Sequence, residues 1–280
     1  MNRFYYHVFG ERSEINKKIL CYCKGTSYKI KENGVDLKIK NASELTHVVV
    51  LSHFYPFKYL RDYDNDLNSF FKQSIINLVN QISVILDNKY STLNIKIVYL
   101  SSAAVYGNVD TGREVESPIP STIHGTTKLI CEKVIASQCN QKGIQYNILR
   151  LSNIYGSLHG NSIIDKIKCA IPIDKPPIQI FGSEHYPIDF LHIDDLAQIL
   201  KFLCEADINE PIINVGSGLP VSLSSIINNL ENKGWSNYEV RSRDYEEAQL
   251  GSLDTSMLYN TMRCGVEPRQ VFDYLNITPK

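Results

Sequence analysis

Residues 95–107 read IKIVYLSSAAVYG, and this stretch decides the fold. Its first seven residues, Ile95–Ser101, are largely β-branched and apolar, the composition of a strand buried on both faces of a parallel sheet. The residues after it, Ser102-Ala-Ala-Val-Tyr106-Gly107, lie just beyond the strand's carboxyl end, which is where parallel sheets bind ligands. Working outward, similar runs stand at His47–Ser52 (HVVVLS), Gln145–Leu151 (QYNILRL) and Pro211–Val215 (PIINV). Between the first of these and Ile95 lies Asp66–Asp87, where Leu67, Phe71, Ile75, Leu78, Ile82 and Ile85 recur every three or four residues and predict an amphipathic helix. A second helix is expected over Ser121–Cys139. Pro118 and Pro120 end the segment before it, Ser121 or Thr122 caps it, and Ile123, Thr127, Ile130, Cys131 and Val134 form its apolar stripe. Shorter helices are expected at Asp194–Cys204 and Leu223–Leu230. The alternation gives an α/β fold, a doubly wound parallel sheet with a smaller C-terminal lobe. Residues 1–155 form the sheet domain, 188–216 return to it, and 156–187 with 217–280 build the lobe.

The 280 residues are 43% hydrophobic and 21% charged, enough to bury a large core. Twenty-nine basic and thirty acidic residues are interspersed and leave a formal charge of −1, which argues against nucleic acid and anionic membrane as partners. No run approaches the roughly 18 apolar residues of a membrane span, and Met1–Gly10 carries Asn, Arg and His where a signal peptide would carry an apolar core. A cytoplasmic protein is expected. The seven cysteines (21, 23, 131, 139, 169, 204, 264) are odd in number and irregularly spaced, so they read as reduced thiols. Cys21 and Cys23 are too close for a zinc pair and no histidine cluster completes a ligand set, so no metal site is expected.

Beyond Tyr106 come His124-Gly-Thr-Thr-Lys128 on the second helix, then RLSNIYG (150–156), IDFLHIDD (188–195) and NVGSG (214–218). His124 and Lys128 project from one helix face, a turn apart. Together with SSAAVYG (101–107), these strings stand in family order for S-S-x-x-V-Y-G, Y-G-x-S-K, R-x-x-N-x-Y-G, R-D-F-x-H-V-D-D and N-x-G-S-G. Over residues 95–218 the chain therefore resembles the extended short-chain dehydrogenases, the family of NAD-dependent sugar-nucleotide epimerases, dehydratases and reductases.

The resemblance implies a Rossmann-like fold whose smaller lobe binds substrate, with NAD or NADP as cofactor and a nucleotide sugar as substrate. It also implies a homodimer packed through the Asp66–Asp87 and Ser121–Cys139 helices. It assigns Ser102 to the substrate hydroxyl or carbonyl, position 124 to proton transfer and Lys128 to the nicotinamide ribose. Gly10, Ser52, Ser101 and Lys128 fall along the cofactor, and Asn153 and Arg241 fall on the substrate. Serines at such positions also cap turns, and Asn153 also suits a turn. Asp194 and Asp195 are expected to open a helix, with His192 structural beside them.

Three departures mark the chain. The family tyrosine is replaced by His124, whose imidazole titrates near 6.5 without help and is pushed toward its neutral, proton-accepting form by Lys128; packing or capping is the alternative. The R-D-F arginine, suited to a diphosphate, is Ile188. A glycine-rich turn should follow the first strand so that backbone N–H groups reach the pyrophosphate. Phe4–Phe9 is instead followed by Gly10-Glu-Arg-Ser-Glu, and the other register, Lys18–Cys23, by Lys24-Gly-Thr-Ser. Glu11 would repel a pyrophosphate and Arg12 would offset it; the resemblance puts Asp36 where relatives carry an aspartate near the adenine, with a merely solvated strand-edge carboxylate as the alternative. Two functions follow as expectations. One is an NAD(P)-dependent oxidoreductase or epimerase of surface-polysaccharide biosynthesis, in which Ala103 and Ala104 stand where dehydratases keep an acid pair. The other is a catalytically inactive relative used for binding or assembly.

Overall fold

The computed structural model describes residues 4–9, 13–28, 37, 45–52, 67–87, 92–156, 162–171, 177–181, 186–241, 250–262 and 267–275. The chain opens with β1 (Phe4–Phe9), α1 (Glu14–Tyr22), β2 (Gly25–Tyr28) and β3 (Thr46–Ser52). Next come α2 (Leu67–Phe71), which continues through a π-helical turn at Lys72–Ile76 into α3 (Asn77–Ile85), and β4 (Asn94–Ser102), which runs into a 3-10 turn at Ala103–Tyr106. β5 (Val109–Gly112), α4 (Ile123–Lys142), β6 (Gln145–Leu151) and β7 (Asn153–Tyr155) complete the first part. The rest holds α5 (Ile163–Ala170), β8 (Ile178–Phe181), β9 (Pro187–Ile188), β10 (Phe190–His192), α6 (Ile193–Glu205), β11 (Ile212–Val215), β12 (Val221–Ser222), α7 (Leu223–Asn232), β13 (Tyr238–Arg241), β14 (Leu250–Leu253), α8 (Ser256–Met262) and α9 (Val271–Tyr274).

The central sheet has six parallel strands in the order β11-β6-β4-β3-β1-β2. Alternate residues of each strand feed opposite faces. Tyr6, Val8, Val48, Val50, Val98 and Leu100 pack with Ile19 of α1 and Leu196, Ile199, Leu200 and Leu203 of α6. Phe9, Val49, Leu51, Ile97 and Tyr99 pack with Leu78, Ile82 and Ile85 of α3 and Cys131, Ile135 and Cys139 of α4. Both faces are covered, and the strands read as unbroken apolar runs for that reason. A separate core gathers Tyr155, Ile164, Ile167, Phe190, Leu223, Ile226, Trp235 and Val271.

The helix expected over Asp66–Asp87 is present as α2 through α3, interrupted where Cys131 Sγ of α4 lies 3.9 Å from the Ser74 carbonyl. α4 starts at Thr122, whose Oγ1 accepts from Gly125 N at 3.1 Å, and ends at left-handed Gly143. The alternative first strand, Lys18–Cys23, is corrected: Lys18–Tyr22 lies in α1, which Ser13 caps. The described cysteines are free thiols. Among the described residues no cluster of three or more His, Cys, Asp or Glu could hold a metal ion, and no helix is long and apolar enough to cross a membrane.

Candidate active site

The site grows from the carboxyl end of β4. Ser102 ends the strand, and its Oγ accepts from Ala104 N at 3.2 Å, so it caps the 3-10 turn while its own proton is not spent on that bond. Helix α4 lies directly on this turn because position 125 is glycine: a Cβ there would stand 2.2 Å from the Ala104 carbonyl oxygen. That contact fixes the first turn of α4, with His124, over the segment leaving Ser102.

Down the inward side of α4, half-buried His124 and buried Lys128 and Glu132 follow at four-residue spacing. Lys128 is 6% exposed, donates from Nζ to the Leu100 carbonyl at 2.8 Å and sits 5.1 Å from the Tyr99 ring centroid. Burial lowers its pKa to about 8, against the opposing pull of Cys131 and Glu132. His124 is held down to about 3 by burial and then by Lys128, so its imidazole is neutral across the physiological range. Below them Ser101 Oγ donates to Glu132 Oε1 at 2.5 Å, and Arg150 grips the same carboxylate through Nε (3.2 Å) and Nη2 (2.8 Å). The Arg150 guanidinium lies 4.8 Å from the Tyr106 ring centroid, and Tyr106 donates to Asn214 Oδ1 at 2.7 Å. Asn214 in turn donates to the carbonyls of Gly112 and Asp254, both at 3.0 Å.

The remaining motifs brace one another. Asp189, between β9 and β10, accepts from Ser217 N (2.9 Å), Ser217 Oγ (2.6 Å) and Gly218 N (3.1 Å), and a Cβ on Gly216 would fall 2.4 Å from Asp189 Oδ2. His192 caps α6, its Nδ1 accepting from Asp194 N at 3.2 Å and facing Arg269 Nη1 at 2.8 Å. Arg269 also pairs with Asp194 and Asp195, and its backbone N–H donates to Asp195. These bonds pin the segment before α9 to the start of α6.

Of the residues read from sequence, Ser102, His124 and Lys128 lie around one strand end, while Ser101 is buried and engaged by Glu132. Ser52 Oγ donates to the Phe9 carbonyl at 2.7 Å at the mouth between β1 and β3. Asn153 opens β7 with an exposed side chain. Ile188 pairs with Val221 on β12. Arg241 closes β13 and its side chain lies outside the described residues, as do Gly10, Glu11, Arg12 and Asp36. Sequence reasoning missed Asn16, which is 1% exposed and whose Nδ2 donates to the Phe9 carbonyl (2.7 Å) and to Ser52 Oγ (3.0 Å). Its signal was the spacing of Gly10, Ser13 and Asn16, three residues apart like the glycines of the expected turn.

The sequence model of the NAD dependent epimerase/dehydratase family matches residues 33–216, well over half the chain. The chain belongs to this family. Within the epimerase/dehydratase family it is 34% identical over 149 residues to dTDP-4-dehydro-6-deoxyglucose reductase of Escherichia coli, covering 49% of this chain and 45% of that one. It is 29% identical over 179 residues to a putative UDP-glucose 4-epimerase of Methanocaldococcus jannaschii, covering 59% and 52%. The chain spans about half the length of the curated relatives it matches. Among solved epimerase/dehydratase-type structures, MoeE5 in complex with UDP-glucuronic acid and NAD superposes with a TM-score of 0.77 at 17% identity, over 95% of this chain and 94% of that one. The UDP-glucose 4-epimerase of Thermus thermophilus, in complex with NAD, gives 0.73 at 16% identity, over 97% and 98%. At these identities the likeness establishes the Rossmann-like fold.

Proposed function

We propose that this chain is an NAD(P)-dependent oxidoreductase or epimerase of nucleotide sugars, serving surface-polysaccharide biosynthesis in the cytoplasm as a homodimer. The observation that carries the reading is the seating of Ser102, His124 and Lys128 around the carboxyl end of β4, with α4 docked through Gly125. The residues fit a dinucleotide in their donor chemistry. Lys128 spends one of its three N–H donors on Leu100, while the Asn16 amide of α1 is taken by Phe9 and Ser52. Lys128 would hold the nicotinamide ribose, and Ser52, with Gly10 by its place in the sequence, would serve the rest of the dinucleotide. The nicotinamide, when bound, supplies the hydride chemistry. Ser102 would hold the substrate oxygen, and His124, as a neutral imidazole, would accept its proton. The exposed Asn153, together with Arg241, would contact the nucleotide sugar, the substrate class named for the relatives.

Calorimetry with NAD(H) and NADP(H), followed by UDP- and dTDP-sugars, tests the reading. Saturable binding of one dinucleotide and one nucleotide sugar is expected, and absence of both overturns it. One observation favours a second reading, an inactive relative used for binding or assembly: an imidazole held down to about 3 is a weak base at neutrality. Activity retained in His124→Tyr and lost in His124→Phe would eliminate that alternative.

A further inference from the structure

The last three residues of β4 each meet α4 or its mouth in a different way. The Leu100 carbonyl accepts from Lys128, Ser101 Oγ donates to Glu132, and Ser102 ends at the opening. Lys128 and Glu132 are one helical turn apart, so strand and helix are stitched at two successive levels, with His124 a turn above. The lower stitch is the stronger. Ser101 and Arg150 are direct partners on β4 and β6, and both reach the same carboxylate, the serine at 2.5 Å and the arginine with two N–H groups. All three residues are at most 3% exposed. A buried ion pair of this kind adds little net stability, because desolvation offsets its attraction, and what it does fix is the placement of its partners.

We propose that Glu132 is a positioning residue: clamped by Ser101 and Arg150, it holds the His124–Lys128 face of α4 in register with Ser102, with its carboxylate one helical turn below Lys128. The inference rests on the functional reading above for its purpose, though not for its test. The titratable and charged groups around Lys128 are His124, Cys131 and Glu132 on α4 and Tyr99 on β4, with Arg150 of β6 and Tyr106 of the 3-10 turn behind Glu132.

The test is the titration of the Lys128 side chain by NMR in the full chain, with the resonance assigned through Lys128→Met. In Glu132→Gln the midpoint is expected to fall by about one pH unit or more, while Glu132→Asp keeps it near the wild-type value. With a wild-type midpoint of about 8, that change takes the ammonium at pH 8 from half to about a tenth protonated, so NADH affinity there falls about fivefold. Should Glu132→Gln fail to fold because it strands Arg150, Glu132→Gln with Arg150→Met removes the pair whole; the arginine's opposing charge goes with the carboxylate, so a smaller fall in the same direction is expected. An unmoved midpoint in the folded variant overturns the assignment. If the midpoint moves but the wild type binds no dinucleotide, the functional reading falls and the role of Glu132 stands. If the wild type binds and the midpoint does not move, the reverse holds.

Discussion

Lys128 and His124 owe their protonation states mainly to burial, and each state carries a sign that can be measured. The Lys128 pKa falls from 10.5 to about 8, so between those values the unfolded chain holds a proton that the folded chain has released. Its contribution to stability therefore rises with pH across that window, and the buried ammonium costs most below pH 8. Ligand binding that uses the ammonium runs the other way. NADH affinity, read by fluorescence, is expected to be level from pH 6 to 7 and to fall above pH 8, and a Lys128→Met variant should bind about tenfold more weakly or worse at pH 7, with no alkaline limb. A level profile to pH 10 would remove Lys128 from the cofactor. For His124, lowered from 6.5 to about 3, stability is present in full above 6.5 and is lost as pH falls toward 3. The native protein should thus show no binding limb near pH 6.5 from this residue.

At the scale of elements, the docking of α4 depends on one missing methyl group. Gly125→Ala would drive a Cβ to within 2.2 Å of a backbone oxygen that has no rotamer in which to retreat. It should lower stability by about 1–3 kcal/mol in denaturant titrations, and nucleotide binding should weaken with it because the helix is displaced from Ser102. The pair of strands β1 and β3 carries a second device. His7 and His47 lie within the sheet at 0% and 1% exposure, with His7 Nε2 3.0 Å from His47 Nδ1. Burial and then His47 hold His7 down to about 4, and burial lowers His47 as well. Both must charge when the chain unfolds in acid, so stability is lost as pH falls from about 6.5 toward 4, by at most about 3 kcal/mol for His7. Replacing both by leucine should make the fall of the melting temperature with pH shallower across that range, leaving the part due to His124, and an unchanged acid slope would assign it elsewhere.

These elements also mark what the sequence could reveal. Apolar runs and three-and-four periodicity located β3, β4, β6, β11 and the helices α2 to α4, because each signal is local. The motif residues were visible too, but their partners were not. Tyr106 meets Asn214 across 108 residues and Glu132 meets Arg150 across 18, contacts that only the folded sheet creates. The motif position of Ser101 suggests the cofactor while its hydroxyl donates to Glu132, and nothing in its neighbours along the chain distinguishes the two.

On the scale of the whole molecule, the helices that cover one sheet face expose apolar side chains of their own. α4 and the helix running from α2 to α3 lie side by side over that face, and they expose Phe71 (39%), Ile76 (50%), Ile123 (37%) and Ile130 (39%). Ile123 and Ile130 are seven residues apart and so share one side of α4. A second copy presenting the same pair of helices would bury this surface in a two-fold four-helix bundle, with both copies using identical residues. The same helix α4 carries His124 and Lys128 on its inner side, so pairing of its outer side would steady the site that its inner side builds. Sedimentation of the wild type at tens of micromolar is expected to give a dimer, and Ile76→Glu with Ile130→Glu should give a folded monomer whose association is weakened about a hundredfold or more, since two buried apolar contacts per copy become desolvated charges. A wild type that sediments as a monomer would remove the dimer, and a double variant that dimerises unchanged would place the interface elsewhere; either leaves the four exposed side chains without this explanation.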